Sequence, residues 1–144
     1  MTDLTLMTER KINAAPEKVF NAWLNPEMLR RFMHPGEGVT VPFAKSDAKV
    51  GGRFEIPMDT GENVLLHQGE YLAIDPHERI VFTWESPYSP ADSEVTLTFA
   101  PEGDGTLLRL TQVRFLNEEM RDNHQKGWAS IMAALDTLLV AEAV

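Results

Sequence analysis

Four histidines are the side chains in this sequence best suited to proton transfer or polar ligand contact near neutral pH. They are His34, His67, His77 and His124. No two of them lie two, three or four residues apart and no H-E-x-x-H sequence occurs, so the spacing predicts no metal site. The chain also lacks cysteine, a G-x-S-x-G sequence and a phosphate-binding glycine loop. We therefore expect no cofactor, and catalysis would have to use a histidine as a general base.

For two of these histidines, the sequence pattern allows a side chain that points into the core. His124 precedes Trp128 by four residues, which puts both on one face of a helix. It can be a hydrogen-bonded core residue or a polar contact for a ligand. His67 shares a strand face with Gly69 and Tyr71, while Leu66 and Leu72 mark the opposite face. The register of that strand stays open, and Gly69 suggests a bulge that switches it.

A long amphipathic helix is predicted over residues 117–140, about 35 Å in length. One apolar sector of its helical wheel contains Met120, His124, Gly127, Trp128, Ile131, Leu135 and Leu138. The residues outside that sector are Glu119, Asp122, Gln125, Lys126 and Asp136. The rest of the chain must supply the surface that buries this sector.

The upstream pattern predicts a strand over residues 3–13, followed by two short helices. Pro16 suits the first turn of one helix, and Pro26 opens the other with Asn25 as its N-cap. Six strands follow, separated by turn sequences. They are predicted at 39–43, 53–58, 63–74, 80–84, 95–99 and 108–115, with turns at 46–52, 75–78 and 101–105 and a loop at 86–92.

This order predicts an α+β protein with one domain over residues 1–144. Strands joined by tight turns form an antiparallel sheet. Alternating apolar residues, as in Val95, Leu97 and Phe99, give that sheet one buried face. Seven twisted strands curl, and the concave face then packs on the long helix.

Short sequences in a fixed order resemble one family across residues 8–140. They are Ala15-Pro16-Glu17-Lys18-Val19-Phe20-Asn21-Ala22-Trp23, Pro26-Glu27, Gly51-Gly52-Arg53-Phe54, Gly69-Glu70-Tyr71, Asp75-Pro76, Arg79-Ile80-Val81-Phe82-Thr83-Trp84 and Gly127-Trp128. Together they resemble the family named after the activator of heat-shock-protein-90 ATPase, within the START-like (birch-pollen-allergen-like, SRPBCC) helix-grip superfamily. The resemblance implies a seven-stranded curved sheet wrapped around the C-terminal helix.

The resemblance also implies a cavity between sheet and helix that binds a small hydrophobic or aromatic molecule. Other members imply two alternatives, a co-chaperone that contacts heat-shock protein 90 and a cyclase- or hydrolase-like enzyme. Relatives often carry tryptophan and glycine before the Pro35-Gly36 pair, whereas this chain has Phe32 and His34 nearby. These two residues are therefore expected at the cavity mouth.

Eight residues are the candidates for ligand contact: Phe32, His34, His67, Tyr71, Trp84, Gln112, His124 and Trp128. The strand pattern turns Trp84 and Gln112 inward. A buried amide such as Gln112 needs hydrogen-bond partners. A ligand, a water molecule or His124 could supply them.

Composition limits the remaining classes of function. The 144 residues carry a formal net charge of −9, which disfavours nucleic acid and anionic membranes as partners. No apolar run is long enough for a membrane span or a signal peptide. We expect a cytoplasmic protein that is a monomer or, through an exposed edge strand, a homodimer.

Overall fold

The structure is a computed structural model that describes residues 4–36, 38–90 and 92–142. Seven strands and three helices follow one another in the predicted order, one strand, two helices, six strands and one helix. They are β1 (Thr5–Ile12), α1 (Pro16–Leu24), α2 (Pro26–Phe32), β2 (Lys45–Ser46), β3 (Arg53–Asp59), β4 (Val64–Asp75), β5 (Arg79–Thr83), β6 (Glu94–Glu102), β7 (Gly105–Val113) and α3 (Glu118–Glu142).

All seven strands form one curved antiparallel sheet in the order β1-β7-β6-β5-β4-β3-β2. Consecutive strands from β2 to β7 are neighbours, as expected for short connections. β1 closes the far edge by pairing with β7, where Thr5 faces Val113 and Ile12 faces Thr106. The predicted α+β helix-grip architecture is confirmed.

Period-two alternation decides which side chains meet α3. Val95, Leu97 and Phe99 of β6 are buried, and the residues between them are partly exposed. The buried residues of α3 are Trp128, Ile131, Met132, Leu135, Asp136 and Leu139. The inward side chains of the strands and of α3 therefore pack into one core between the sheet and the helix.

The two short helices form by the predicted signals. Pro16 and Pro26 occupy first-turn positions, where the missing N–H breaks no helical hydrogen bond. Asn25 caps α2, because its Oδ1 accepts from the amides of Glu27 at 2.9 Å and Met28 at 3.3 Å. α2 contacts α3, and the Trp23 ring of α1 lies 6.3 Å from that of Trp128 on α3.

The predicted strand over residues 39–43 is wrong. In this segment Thr40 makes one isolated bridge to Asp59, and the edge strand is instead Lys45–Ser46, whose second residue was predicted to begin a turn. Pro42 explains the difference, since it cannot donate to a strand ladder. The apparent alternation came from a loop that buries Val41 and leaves Phe43 half exposed.

The register of β4 is now settled. His67 and Tyr71 face inward, while Leu66 and Leu72 are 40% exposed on the outer face. The expected bulge at Gly69 is wrong in position, because the register shift falls between Tyr71 and Ala73.

Gly69 is required for close packing. A Cβ atom there would overlap the carbonyl oxygen of Thr83, and it would lie 2.8 Å from the Phe54 ring. The glycine therefore lets β4 pass close to the end of β5 and to the core.

Asp136 is also placed differently from its prediction. Although it was assigned outside the apolar sector of α3, it is 8% exposed. Its Oδ1 accepts from the Asn13 amide at 2.9 Å, and its Oδ2 accepts from Arg10 Nη2 at 3.3 Å. α3 packs against β1 on this side, so the buried sector is wider than its apolar residues show.

Candidate functional site

A cavity of about 280 Å³ lies between α3 and the inner face of the sheet near β3 and β4. Its walls come from two strands, from α3 and from the segments that follow α2 and β5. The lining residues are Pro35, Val39, Met58, Thr60, Leu65, His67, Trp84, Tyr88, Met120, Asn123, His124, Gly127, Trp128 and Ile131.

Strand and helix periodicity position the inner wall. Leu65 and His67 are two residues apart on β4, so both point to the same face. On α3, His124 and Trp128 are four apart and Ile131 follows after three, which puts all three on one stripe. These residues line the cavity because the inner face of β4 and this stripe of α3 face each other.

Two tryptophans in contact, with their rings tilted by 56°, form part of the cavity wall. The ring centroids of Trp84 and Trp128 are 4.7 Å apart, and the His67 ring lies 5.0 Å from Trp84. Trp128 is fixed by donating its Nε1 proton to Gln112 Oε1 at 2.7 Å. Trp84 Nε1 is buried and has no hydrogen-bond partner among the described residues. This part of the wall is therefore aromatic, and a hydrogen bond orients the Trp128 ring.

Each of the two cavity histidines makes a hydrogen bond through Nδ1 to a backbone carbonyl of its own element. Nδ1 of His67 lies 3.0 Å from the Leu65 carbonyl oxygen, and Nδ1 of His124 lies 2.7 Å from that of Met120. A carbonyl oxygen only accepts, so each Nδ1 carries a proton. In the neutral ring, Nε2 is then an acceptor.

Burial keeps both rings neutral. It lowers the pKa of His67 to about 4, an effect that the Leu65 and Ile56 carbonyls oppose and that nearby His124 reinforces. Burial likewise lowers the pKa of His124, against the opposing effect of the Met120 carbonyl. Near neutral pH the cavity therefore offers two imidazole lone pairs and no imidazolium.

Gly127 leaves room beside the cavity. A Cβ atom at this position would lie 3.2 Å from Pro35 Cβ, which is a tight contact. A larger side chain here would occupy the space between α3 and the segment after α2.

A family model described as "Activator of Hsp90 ATPase homolog 1-like protein" matches residues 13–140. The match spans both short helices, β2 to β7 and nearly all of α3. The chain belongs to this family. No curated protein matches the sequence.

Solved structures share the fold of this chain. Protein CV1439 from Chromobacterium violaceum is 29% identical, with a TM-score of 0.81 over 93% of this chain and 95% of that one. An AHSA1-like protein from Aeromonas hydrophila is 22% identical, with a TM-score of 0.84 over 97% of this chain and 94% of that one. The second likeness shows the shared fold alone.

Four of the eight candidate residues line the cavity of this family member: His67, Trp84, His124 and Trp128. The other four do not, and two of them are the residues expected at its mouth. Phe32 is fully buried with its ring 5.1 Å from that of Trp23, so it belongs to the core. His34 turns away, with Nε2 3.1 Å from the Arg31 carbonyl oxygen. Pro35, the next residue, forms that part of the wall instead.

Tyr71 and Gln112 are buried, but they have structural partners. The Tyr71 hydroxyl lies 2.8 Å from Ser46 Oγ, which itself donates to the Leu24 carbonyl at 2.9 Å. Gln112 Nε2 donates to Ser93 Oγ at 2.9 Å, while its Oε1 accepts from Trp128. Protein groups therefore satisfy the amide for which a ligand, a water molecule or His124 was considered.

Sequence reasoning missed the loop side of the cavity. Val39 lies in a segment read as a strand, and Tyr88 lies in a loop without periodic pattern. Met58, Leu65 and Met120 look like ordinary core residues in sequence. Only Gly127, beside two inward residues, gave a signal that space was present.

Two further features are absent from the described residues: a metal-binding cluster and a membrane-spanning helix. Among residues 4–36, 38–90 and 92–142, no group of three or more histidine, aspartate and glutamate side chains could hold a metal ion. None of the helices in those ranges is long and apolar enough to cross a membrane.

Proposed function

We propose that this protein binds a small, apolar aromatic molecule in the cavity between α3 and the sheet. The supporting observation is the composition of the wall, where the contacting rings of Trp84 and Trp128 lie among apolar side chains such as Met58 and Ile131. Binding pockets for small molecules are typically concave and apolar with a few fixed polar groups. His67 and His124 are the fixed polar groups here.

The size of the cavity sets the size of the ligand. An apolar cavity of about 150 Å³ holds a benzene molecule. The present volume of about 280 Å³ is nearly twice that, so it suits a molecule of one or two rings. Removing such a ligand from water supplies the affinity, at about 25 cal/mol for each Å² of apolar surface buried.

Tryptophan indole resonances test binding directly. The sequence has three tryptophans, of which Trp84 and Trp128 line the cavity and Trp23 does not. Titration with β-naphthyl methyl ether should shift the indole N–H signals of Trp84 and Trp128 in ¹H–¹⁵N spectra, and it should raise the melting temperature. A smaller shift at Trp23 gives the internal comparison.

A cavity-filling variant provides the specificity control. Gly127→Leu places a side chain in the cavity, whereas Ala129→Leu makes a similar addition on the exposed face of α3. Binding should be lost or weakened at least tenfold in the first variant and unchanged in the second. Equal binding by both variants, or no shift with any one- or two-ring aromatic probe, would rule out this site.

A further inference from the structure

The polar groups of the cavity differ in whether they have a hydrogen-bonding atom free for a ligand. Thr60 Oγ1 is already used, because it donates to the Asn63 carbonyl at 3.2 Å and accepts from the Asn63 amide at 3.2 Å. Asn123 and Tyr88 lie on the exposed rim. Nε1 of Trp84 is also unpaired, but it is buried and exposes almost no surface to the cavity. In the interior, the two histidines therefore supply the hydrogen-bonding atoms that a ligand can reach.

Both histidines present an acceptor. Because Nδ1 of each ring donates to a backbone carbonyl, the free atom is Nε2 with its lone pair. Nε2 of His124 makes no hydrogen bond to any of the described residues, whereas the His67 ring also has the Ile56 carbonyl beside it. One acceptor stands on β4 and the other on α3, so they meet a ligand from opposite walls.

The wall carries no formal charge. Not one of the described lining residues is an aspartate, glutamate, lysine or arginine. His67 and His124, with Tyr88 at the rim, are the titratable groups that face the space. A carboxylate or ammonium group brought into an apolar cavity without a partner loses its hydration and gains no counter-charge. The wall thus disfavours charged ligands of either sign.

We propose that the ligand is an uncharged aromatic molecule with a hydrogen-bond donor, in the simplest case a phenolic hydroxyl, which donates to Nε2 of His67 or His124. This inference rests on the proposed function and narrows it to one chemical class. The histidines distinguish a donor-bearing ring from the same ring without a donor, and the tryptophans bind the ring itself. An imidazole acceptor left dry and unpaired by a donor-free ligand would weaken that ligand's binding.

Three matched probes test the donor requirement at neutral pH: β-naphthol, its methyl ether and β-naphthoate. They share the two-ring system and differ in having a donor, no donor and a negative charge. β-Naphthol should bind about fivefold or more tighter than the methyl ether, the effect of one net hydrogen bond. β-Naphthoate should bind weakest of the three. Dissociation constants come from the Trp84 and Trp128 indole shifts.

Histidine variants assign the preference to the proposed atoms. His67→Phe and His124→Phe retain a ring of similar size but remove the acceptor. At least one of them should bring β-naphthol and the ether to similar affinity while binding of the ether persists. His34→Phe is the matched control, because His34 lies outside the cavity, and it should keep the preference. Melting curves establish that each variant is folded, and His67→Leu and His124→Leu, which also lack an acceptor, replace any that is not.

The outcomes separate the two proposals. If the ether binds as tightly as β-naphthol, or the preference survives in both cavity variants, the donor inference is wrong and aromatic binding stands. Tight binding of β-naphthoate at neutral pH would equally overturn the inference. If no probe binds, the proposed function fails and the inference fails with it. Loss of the preference in a cavity variant, but not in His34→Phe, supports the assignment.

Discussion

Trp128 Nε1 donates to Gln112 Oε1 at 2.7 Å, and this bond joins the cavity-facing helix α3 to strand β7. Both side chains are buried. Gln112 is held in turn by Ser93, whose hydroxyl donates to the Val113 carbonyl at 2.9 Å. The orientation of Trp128 in the cavity wall therefore depends on a series of hydrogen bonds that begins at Ser93, just before β6, and continues through Gln112 on β7.

Replacing Gln112 with leucine should destabilise the fold. The substitution leaves the buried Trp128 Nε1 without an acceptor and Ser93 Oγ without a donor. Unpaired buried groups of this kind cost about 1–3 kcal/mol. Urea denaturation followed by circular dichroism should show a loss of unfolding free energy in that range.

A double-mutant cycle isolates the bond itself. Trp128→Phe removes the donor, so Gln112→Leu should be less destabilising in that background. The difference should be about 0.5–3 kcal/mol, as for other contacting residues. An identical effect of Gln112→Leu in both backgrounds would mean that the bond does not stabilise the fold.

Asp136→Ala should be more destabilising than a change at a residue that the helical wheel places outside the apolar sector of α3. The carboxylate accepts from the Asn13 amide and from Arg10, so its removal detaches α3 from the end of β1. Hydrogen bonds to a charged group contribute about 1.5–3 kcal/mol. Chemical denaturation of the variant measures the loss.

Asp122→Ala is the matched control for Asp136→Ala. It removes the same side chain from the same helix, but the Asp122 side chain is 59% exposed and pairs with its neighbour Arg121. Its effect should stay within about 0.5 kcal/mol of zero. Equal effects at the two positions would contradict the role assigned to Asp136.

Patterns local in sequence predicted the elements of this fold. Val95, Leu97 and Phe99 alternate over five residues, and Trp128 and Ile131 repeat with the helical period, so the buried face of each element could be read directly. Asn25 likewise needed only the Pro26-Glu27 pair that follows it to be recognised as a cap. The order of elements and the family resemblance then gave the sheet and its partner helix.

Partnerships across long sequence separations could not be predicted in this way. Asp136 reaches Asn13 over 123 residues, and Gln112 bonds to Ser93, just before β6, and to Trp128 on α3. No local pattern distinguishes these polar residues from solvated ones. The same limit applies to Tyr88, because only the folded chain shows that its loop reaches the cavity.

Gly69→Ala should destabilise the protein through a backbone clash. The added Cβ would overlap the Thr83 carbonyl oxygen, and the Phe54 ring behind it is buried in the core. Overpacking of this kind costs about 1–3 kcal/mol. Gly36→Ala is the control, since a Cβ there meets nothing within 4 Å, and it should change the melting temperature little. A wild-type melting temperature for Gly69→Ala would contradict the packing described for β4.

Stability should decrease on acidification because His67 is buried in its neutral form. Its pKa is about 4 in the folded protein and 6.5 in an unfolded chain, so between these values the unfolded state binds more protons. The contribution is complete above pH 6.5 and is lost as pH falls towards about 4. For His67 alone the loss amounts to roughly 3 kcal/mol. Lowering of the pKa of His124 adds to the loss in the same direction.

His67→Gln separates this effect from the titration of surface carboxylates, which the variant shares with the wild-type protein. Glutamine does not titrate, so the unfolding free energy of the variant should decline less steeply between neutral pH and about pH 4. Urea denaturation at a series of pH values measures both curves. The steeper decline of the wild-type protein comes from the buried imidazole, which must take up a proton. Parallel curves would therefore show that His67 titrates alike in the folded and unfolded states.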